Sequence, residues 1–390
     1  MNRTVIEPGA ILGVLGGGQL GAMFAGAAHR LGYRVAVWDP DPDAPAHRLV
    51  RHSYPRPFAD RQTFDEFSDL VSVATYEWEN VPAALCRELE RRKPVRPSSA
   101  VLDIIQDRFA QKAYLEAQGF PIPNFSVVTS PDHLREAVER IGFPVVLKTA
   151  TAGYDGKGQW RIKSETDLPE AHRAMKESLQ RGTRWIVEAF VPFERELSVL
   201  VIRAVDGTSV VYPTAENEHE DGILRATIVP ARIPTPLAEQ AGALARQVIE
   251  RLNGIGVFCL ELFQLPDGNL LVNEIAPRPH NSGHYTLDAC SVSQFEQQVR
   301  VICDLPLGEV RLITPAAMVN LIGDDAANVT RGDGCRALLT VPGAVLHLYG
   351  KRTMRPRRKM GHVTFLASEA EIAWERAVML RDRLAKAATS

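Results

Sequence analysis

Short apolar runs alternate with helically spaced apolar positions along the first hundred residues. Residues 11–15 make the first run, Gly16-Gly17-Gly18 ends it, and residues 19–31 carry apolar side chains at helical spacing. The pattern predicts a strand, a glycine turn and a helix. A second strand is predicted over 33–38, ending at Asp39-Pro40, and another over 71–75 before Tyr76-Glu77. Strands alternating with helices belong in a parallel sheet covered on its faces.

The pattern changes after residues 94–97. Ser98 and Ser99 can cap a helix running to about Gly119, and Phe120-Pro121-Ile122-Pro123 makes an extended exit, so a first domain boundary is placed there. Beyond it, strands are predicted over 145–147, 185–190, 197–203, 256–263 and 270–275, and helices over 131–141, 168–181 and 237–252. The tail adds strands over 344–349 and 362–366 and an amphipathic helix over 368–385.

Composition narrows the function classes. Lys and Arg total 45 against 47 for Asp and Glu, a net charge of -2, which offers no overall field for nucleic acid or an anionic membrane. Any anion must be bound locally. The five cysteines, at 86, 259, 290, 303 and 335, form no CxxC pair, so neither a zinc motif nor a disulfide framework is expected and a reducing cytosol fits. No uncharged run approaches the ~20 residues of a membrane span. The chain therefore reads as soluble and unprocessed.

The glycine turn alone is ambiguous. Gly16, Gly18 and Gly21 can be read as GxGxxG with Asp39 as a ribose acid, which points to a dehydrogenase. A turn that only packs its helix on the sheet fits equally well.

The middle of the chain is more informative. Glu261 and Glu274 lie in two apolar strands joined by Pro266-Asp267-Gly268-Asn269, and a hairpin brings both carboxylates together. They supply the hard oxygen ligands that Mg²⁺ takes, and unpaired they carry a desolvation penalty of several kcal/mol. Lys148 ends another strand just before a loop containing Gly153, Tyr154, Asp155, Gly156, Lys157, Gly158 and Gln159. A lysine beside a glycine-rich loop suits a triphosphate, although this is no Walker motif because the lysine precedes the loop.

This order of elements resembles the ATP-grasp superfamily and, within it, the N5-carboxyaminoimidazole ribonucleotide synthetase family. The narrower resemblance rests on Gly16-Gly-Gly-Gln-Leu-Gly21, Gly153-Tyr-Asp-Gly-Lys-Gly-Gln159, Pro277-Arg-Pro-His-Asn-Ser-Gly-His284 and Lys359-Met-Gly-His362. It implies an α/β, three-domain ATP-grasp architecture. A Rossmann-like parallel-sheet domain is expected over 1–107, an ATP-grasp domain over 108–310 with a lid at about 125–190, and a small β-rich domain over 311–390. The implied activity is ATP- and bicarbonate-dependent carboxylation of 5-aminoimidazole ribonucleotide in purine biosynthesis, by a cytosolic homodimer.

The resemblance also distributes roles. ATP is expected against Arg108, Lys148, the loop Gly153 to Gln159, the hinge Glu188, Ala189, Phe190 and Val191, and Glu196, His219, Asn273 and Glu274. Hinge amides and carbonyls can read the adenine edge, and Glu196 can accept from ribose. Mg²⁺ is assigned to Glu261 and Glu274, with Lys148 and Arg278 offsetting charge on the migrating phosphoryl group. Asn281, Ser282 and His284 are expected to cradle bicarbonate or carboxyphosphate. Asp155 beside Tyr154 is the candidate to take the amine proton. Substrate phosphate is expected at the amides of Gly17, Gly18, Gln19 and Leu20, with Lys351 and Arg358 as basic partners, and Glu77 and Asn80 are assigned to ribose or imidazole. The competing readings are a glycinamide ribonucleotide transformylase or biotin carboxylase, a non-catalytic ATP sensor and the dehydrogenase.

Overall fold

The computed structural model describes residues 5–151, 158–179 and 183–389. Strands Ile11–Leu15, Arg34–Trp38, His52–Tyr54 and Val73–Tyr76 form a four-stranded, wholly parallel sheet. The central strand Ile11–Leu15 is buried at every position, which is why it reads as a continuous apolar run with no alternation. Helix Gln19–Arg30 puts Phe24, Ala27 and Ala28 into a core shared with Phe295, Val299 and Ile302 of helix Gln294–Ile302. The N-terminal sheet is therefore fused to the rest of the molecule by a common hydrophobic core.

The expected single helix after Ser98 is two. Helix Ser99–Ile105 stops and helix Arg108–Ala117 restarts, with the Asp107 carboxylate accepting from Ala110 N at 3.0 Å as its cap. The restart places Arg108 at a helix N-terminus, where its amide donates to Ala150 O at 2.8 Å. Phe125–Val128, Trp185–Ala189, Val145–Thr149 and Gln159–Ile162 then form a four-stranded antiparallel lid sheet in that order. Leu134, Ala137 and Val138 of helix Pro131–Ile141 and Leu168, Ala171 and Met175 of helix Leu168–Leu179 pack in its core.

The remaining strands form one nine-stranded sheet. It runs from the hairpin Gly256–Gln264/Leu270–Ala276 through Arg195–Arg203, Ala215–Glu220 and Ile223–Val229 to Ala316–Ile322, Lys359–Leu366 and Ala344–Leu348. The C-terminal strands thus extend the central sheet through the antiparallel pairing of Ile223–Val229 with Ala316–Ile322. That continuity carries the turn between the last two strands round to the same opening as the hairpin.

Candidate functional site

A cavity of about 630 Å³ opens where the lid sheet, the hairpin, the mouth of the parallel sheet and the C-terminal turn meet. At its inner end Glu188, buried on a lid strand, accepts from Lys148 Nζ at 3.0 Å, and Lys112 Nζ lies 3.5 Å from the same oxygen. Burial alone would raise the Glu188 carboxyl, but Lys112, Lys148 and Arg108 over-compensate and bring it down to about 2. Lys112 carries no motif. Its only signal is its place four residues after Arg108, on one face of a helix.

The hairpin forms as expected, with Glu261 directly opposite Glu274 in register and a bulge just after Glu261. Arg108 Nη1 donates to Glu274 Oε2 at 2.5 Å. Burial disfavours ionised Glu274, yet the Arg108 charge holds its carboxyl below the ordinary value. At Glu261 the nearby His219 and Lys359 are outweighed. Burial and then the charge of Glu274 push it above the ordinary carboxylate range. Two adjacent acids, one of them hard to ionise, are the donor set a divalent cation relieves.

His280 Nε2 lies 3.3 Å from Glu261 Oε1. Burial and the nearby Arg278 charge push this imidazole well below its ordinary value, so it is neutral. With Nδ1 accepting from Ser282 Oγ at 2.8 Å, the tautomer assigned by this network carries the proton on Nε2, the ring atom that faces the Glu261 carboxylate. His280 lies inside the quoted Pro277–His284 motif, yet His284 was the histidine singled out there. Across the cavity Glu196 is already paired with His219, and both line the wall beside Asn273.

The hinge places Ala189, Phe190 and Val191 on the cavity. The amides of Ala189 and Phe190 are engaged within the fold, donating to Asn124 O at 2.8 Å and Pro144 O at 3.0 Å. Those two amides are not available to an adenine, which corrects one part of the expectation for this segment. Gln159 lines the cavity, and Gly158 O accepts from Thr149 N at 2.9 Å. The expected ligands Gly153, Tyr154, Asp155, Gly156 and Lys157 lie outside the described residues.

The glycine turn differs from its expected role. Gly16 has φ +98° and a Cβ there would meet Glu77 Cγ at 2.6 Å, so glycine is required. Gly17 N donates to Asp39 Oδ2 at 2.6 Å, Gly18 N to Glu77 Oε1 at 2.6 Å and Gly21 N to Glu77 Oε2 at 2.7 Å. The amides of Gly17 and Gly18, expected to hold substrate phosphate, are thus saturated by the protein's own acids. Asp39 serves the turn instead of a dinucleotide ribose. Gln19, Leu20 and Glu77 remain on the cavity wall.

Asn80 does not reach the cavity; Trp78 and Glu79 do. The Gln106 side chain donates to Glu79 O and Val81 O, at 2.6 and 2.5 Å, and fixes the turn that way round. Glu79, absent from the expected set, binds Arg278 through two hydrogen bonds, one of them 2.9 Å long. The expected Asn281-Ser282-His284 cradle is also largely turned inward. Asn281 touches the cavity but its amide pairs reciprocally with Asn320, at 3.0 and 2.7 Å. Ser282 is buried behind it, accepting from Ser198 Oγ at 2.8 Å. His284 is fully buried away from the cavity among Phe295, Tyr349 and His362. The cause is the tight turn Asn281–Gly283, where a Cβ on Gly283 would meet Leu200 at 2.5 Å.

At the outer end the turn after Leu348 contributes Lys351, Arg355, Arg357, Arg358 and Lys359. Lys351 Nζ donates to Lys359 O at 2.7 Å, Arg357 to Asp221 O at 2.9 Å and Arg358 to Thr353 O at 2.9 Å. Arg352 points elsewhere and pairs with Asp43 at 2.9 Å.

This arrangement has relatives. Residues 10–106 match the ribonucleotide synthetase preATP-grasp domain, 113–295 the ATP-grasp domain and 316–376 the phosphoribosylaminoimidazole carboxylase C-terminal domain. The N5-carboxyaminoimidazole ribonucleotide synthase of Bacillus subtilis is 40% identical over 374 residues, covering 96% of each chain. An ADP complex of N5-carboxyaminoimidazole ribonucleotide synthetase superposes with a TM-score of 0.92 at 41% identity over 98% of both chains. The Aspergillus clavatus synthase, solved with ADP and 5-aminoimidazole ribonucleotide, gives 0.87 at 34% identity over 97% of this chain and 99% of that one. Likeness over nearly the whole length, together with one cavity that joins the paired acids, the strand lysine and the basic turn, places this chain in the N5-carboxyaminoimidazole ribonucleotide synthase family of ATP-grasp ligases.

Proposed function

We propose that this chain carboxylates 5-aminoimidazole ribonucleotide at the expense of ATP, with bicarbonate as the carbon source, in purine biosynthesis. The observation that carries the reading is the polarity of the cavity. Paired carboxylates with Lys148 and Arg108 stand at one end and a rim of lysine and arginine at the other. A nucleoside triphosphate fits the first and a nucleotide monophosphate the second.

Bicarbonate oxygen attacks the γ-phosphorus, the bond to the β-bridging oxygen breaks, and ADP leaves. The exocyclic amine attacks the carbonyl carbon of the resulting carboxyphosphate and its C–O bond to phosphate breaks, or it captures the CO₂ that carboxyphosphate releases with phosphate; in either case it loses a proton as the carbamate forms. The chain's own part is positioning and charge neutralisation. Lys148 and Arg108 meet phosphate oxygens, and Arg278, held by Glu79, faces the transferring group. Glu261 and Glu274 suit Mg²⁺, which when bound neutralises phosphate charge. Val191 is left to read the adenine edge, Glu196 the ribose, and Lys351 and Arg358 the substrate phosphate. Tyr154 and Asp155, by their place in the loop sequence, are assigned to the amine and its proton.

Among the described residues no helix is long and apolar enough to cross a membrane. A cytosolic homodimer is part of the proposal, by resemblance. The test is phosphate release from protein, Mg²⁺, ATP and bicarbonate with and without 5-aminoimidazole ribonucleotide, using glycinamide ribonucleotide with formate as control. Release should require 5-aminoimidazole ribonucleotide and fall in Asp155→Ala. Release only with the control would replace the reading by a transformylase.

A further inference from the structure

The machinery above leaves a group of imidazoles unused. His347 and His362 face each other across the pairing of the two last strands, and their rings stack with centroids 4.4 Å apart. His284 lies 4.9 Å from His362 by the same measure. Asp288, on the short helix Thr286–Ala289, approaches His347 Nε2 with both carboxylate oxygens, at 3.1 and 2.9 Å. One ligand-type atom from each of Asp288, His347 and His362 lies within 4.8 Å of the others.

A histidine–aspartate pair alone does not account for the group. The Nε2 atoms of His284 and His362 are buried with no hydrogen-bond partner among the described residues, and both residues are completely buried. An orphaned polar atom of this kind costs about 1–3 kcal/mol. His362 Nδ1 lies 2.9 Å from the Tyr349 hydroxyl. A proton donated from Nδ1 to that oxygen leaves Nε2 as a bare lone pair, the arrangement that readies a histidine to ligate.

We propose that Asp288, His347 and His362 form a binding site for a divalent transition-metal ion of the zinc class, distinct from the nucleotide site. Two imidazoles and a carboxylate are a common zinc donor set, and a water or His284 Nε2 can complete four-coordination. The carboxylate offsets part of the ion's charge, and the 28% exposure of the His347 side chain gives the ion a way in. Binding requires the His347 ring to tilt out of its stack, because the metal must lie near both ring planes, and exchanges the His347–Asp288 hydrogen bond for bonds to the ion. Asp288 follows the segment after the acid hairpin, whereas His347 and His362 sit on the strands that lead to Lys351 and from Lys359. The ion therefore clips the basic rim to the catalytic core.

The test uses full-length protein stripped with a chelator and titrated with Zn²⁺ in excess Mg²⁺, followed by thermal unfolding and by metal analysis after gel filtration. One zinc per chain is expected, with a raised Tm, and both should persist in Glu261→Gln, which removes a nucleotide-site acid. Affinity should fall by more than about tenfold in His347→Gln and in Asp288→Asn. Metal-free unfolding curves of both variants check that each has folded, and His347 is partly exposed, so its replacement opens no core. The proposal is overturned if wild type binds no stoichiometric zinc, if both variants bind it as tightly as wild type, or if Glu261→Gln abolishes it.

Discussion

The two ends of the cavity are built on opposite principles. At the inner end Lys112, Lys148, Glu188, Arg108 and Glu274 interlock side chain to side chain on strands and a helix, with Glu188 only 3% exposed. At the rim Lys351, Arg357 and Arg358 sit on a turn and bond to backbone carbonyls. The inner charges are fixed by one another before any ligand arrives, so they can stabilise a migrating phosphoryl group without reorganising. The rim gathers lysines and arginines that an incoming phosphate can engage. One end is preorganised for chemistry, and the other supplies attraction and grip.

Breaking the inner end should have the largest effect. Glu274→Gln removes the partner of Arg108 and the acid opposite Glu261, and phosphate release dependent on 5-aminoimidazole ribonucleotide should fall by at least about a hundredfold. A rim-sized effect there would contradict the contrast.

Glu188→Gln tests the same end through stability. It leaves Lys112 and Lys148 without their shared counter-charge, at a cost of about 3–5 kcal/mol near neutral pH, read from urea unfolding. The sign follows from the carboxyl lying at about 2 when folded against an ordinary value of 4.5. Its contribution is complete above 4.5 and is lost as pH falls toward 2, so the gap between wild type and variant should close over that window.

Much of this contrast was legible in the sequence, and the parts that were not share a cause. Glu261, Glu274 and Lys148 stand out because charged residues in or ending apolar strands demand a partner. The hairpin followed from its turn residues. Lys112, Glu79 and His280 were missed because their importance depends on contacts with Glu188, Arg278 and Glu261, distant in sequence. The opposite error occurred at Gly17, Gly18, Ser282 and His284. A glycine turn and a polar run look the same in sequence whether they face a ligand or, as here, Asp39, Glu77, Ser198 and His362.

Rim variants sharpen the comparison from the other side. Lys351→Ala should raise KM for 5-aminoimidazole ribonucleotide by about tenfold, the loss of one charge-assisted phosphate contact, with ATP affinity unchanged. Arg358→Ala should do less, because Arg355, Arg357 and Lys359 surround the same opening. Both effects should shrink with added salt, whereas those of the inner end should not.

The smallest expected effect is a proton. Glu261 is pushed up by burial and by Glu274 and so carries part of a proton at neutral pH in the ligand-free protein. A cation at the acid pair needs that carboxylate ionised, so binding of Mg²⁺-ADP must expel the proton and must weaken as pH falls through the raised value. Calorimetry in buffers of different ionisation enthalpy should detect release of a fraction of one proton near pH 7, larger at lower pH. Glu274→Gln removes the neighbouring negative charge, lowers the Glu261 carboxyl and should reduce the release, whereas Lys351→Ala should leave it unchanged. Release that followed Lys351 instead would mean that the two ends are coupled and that the rim, too, is preorganised.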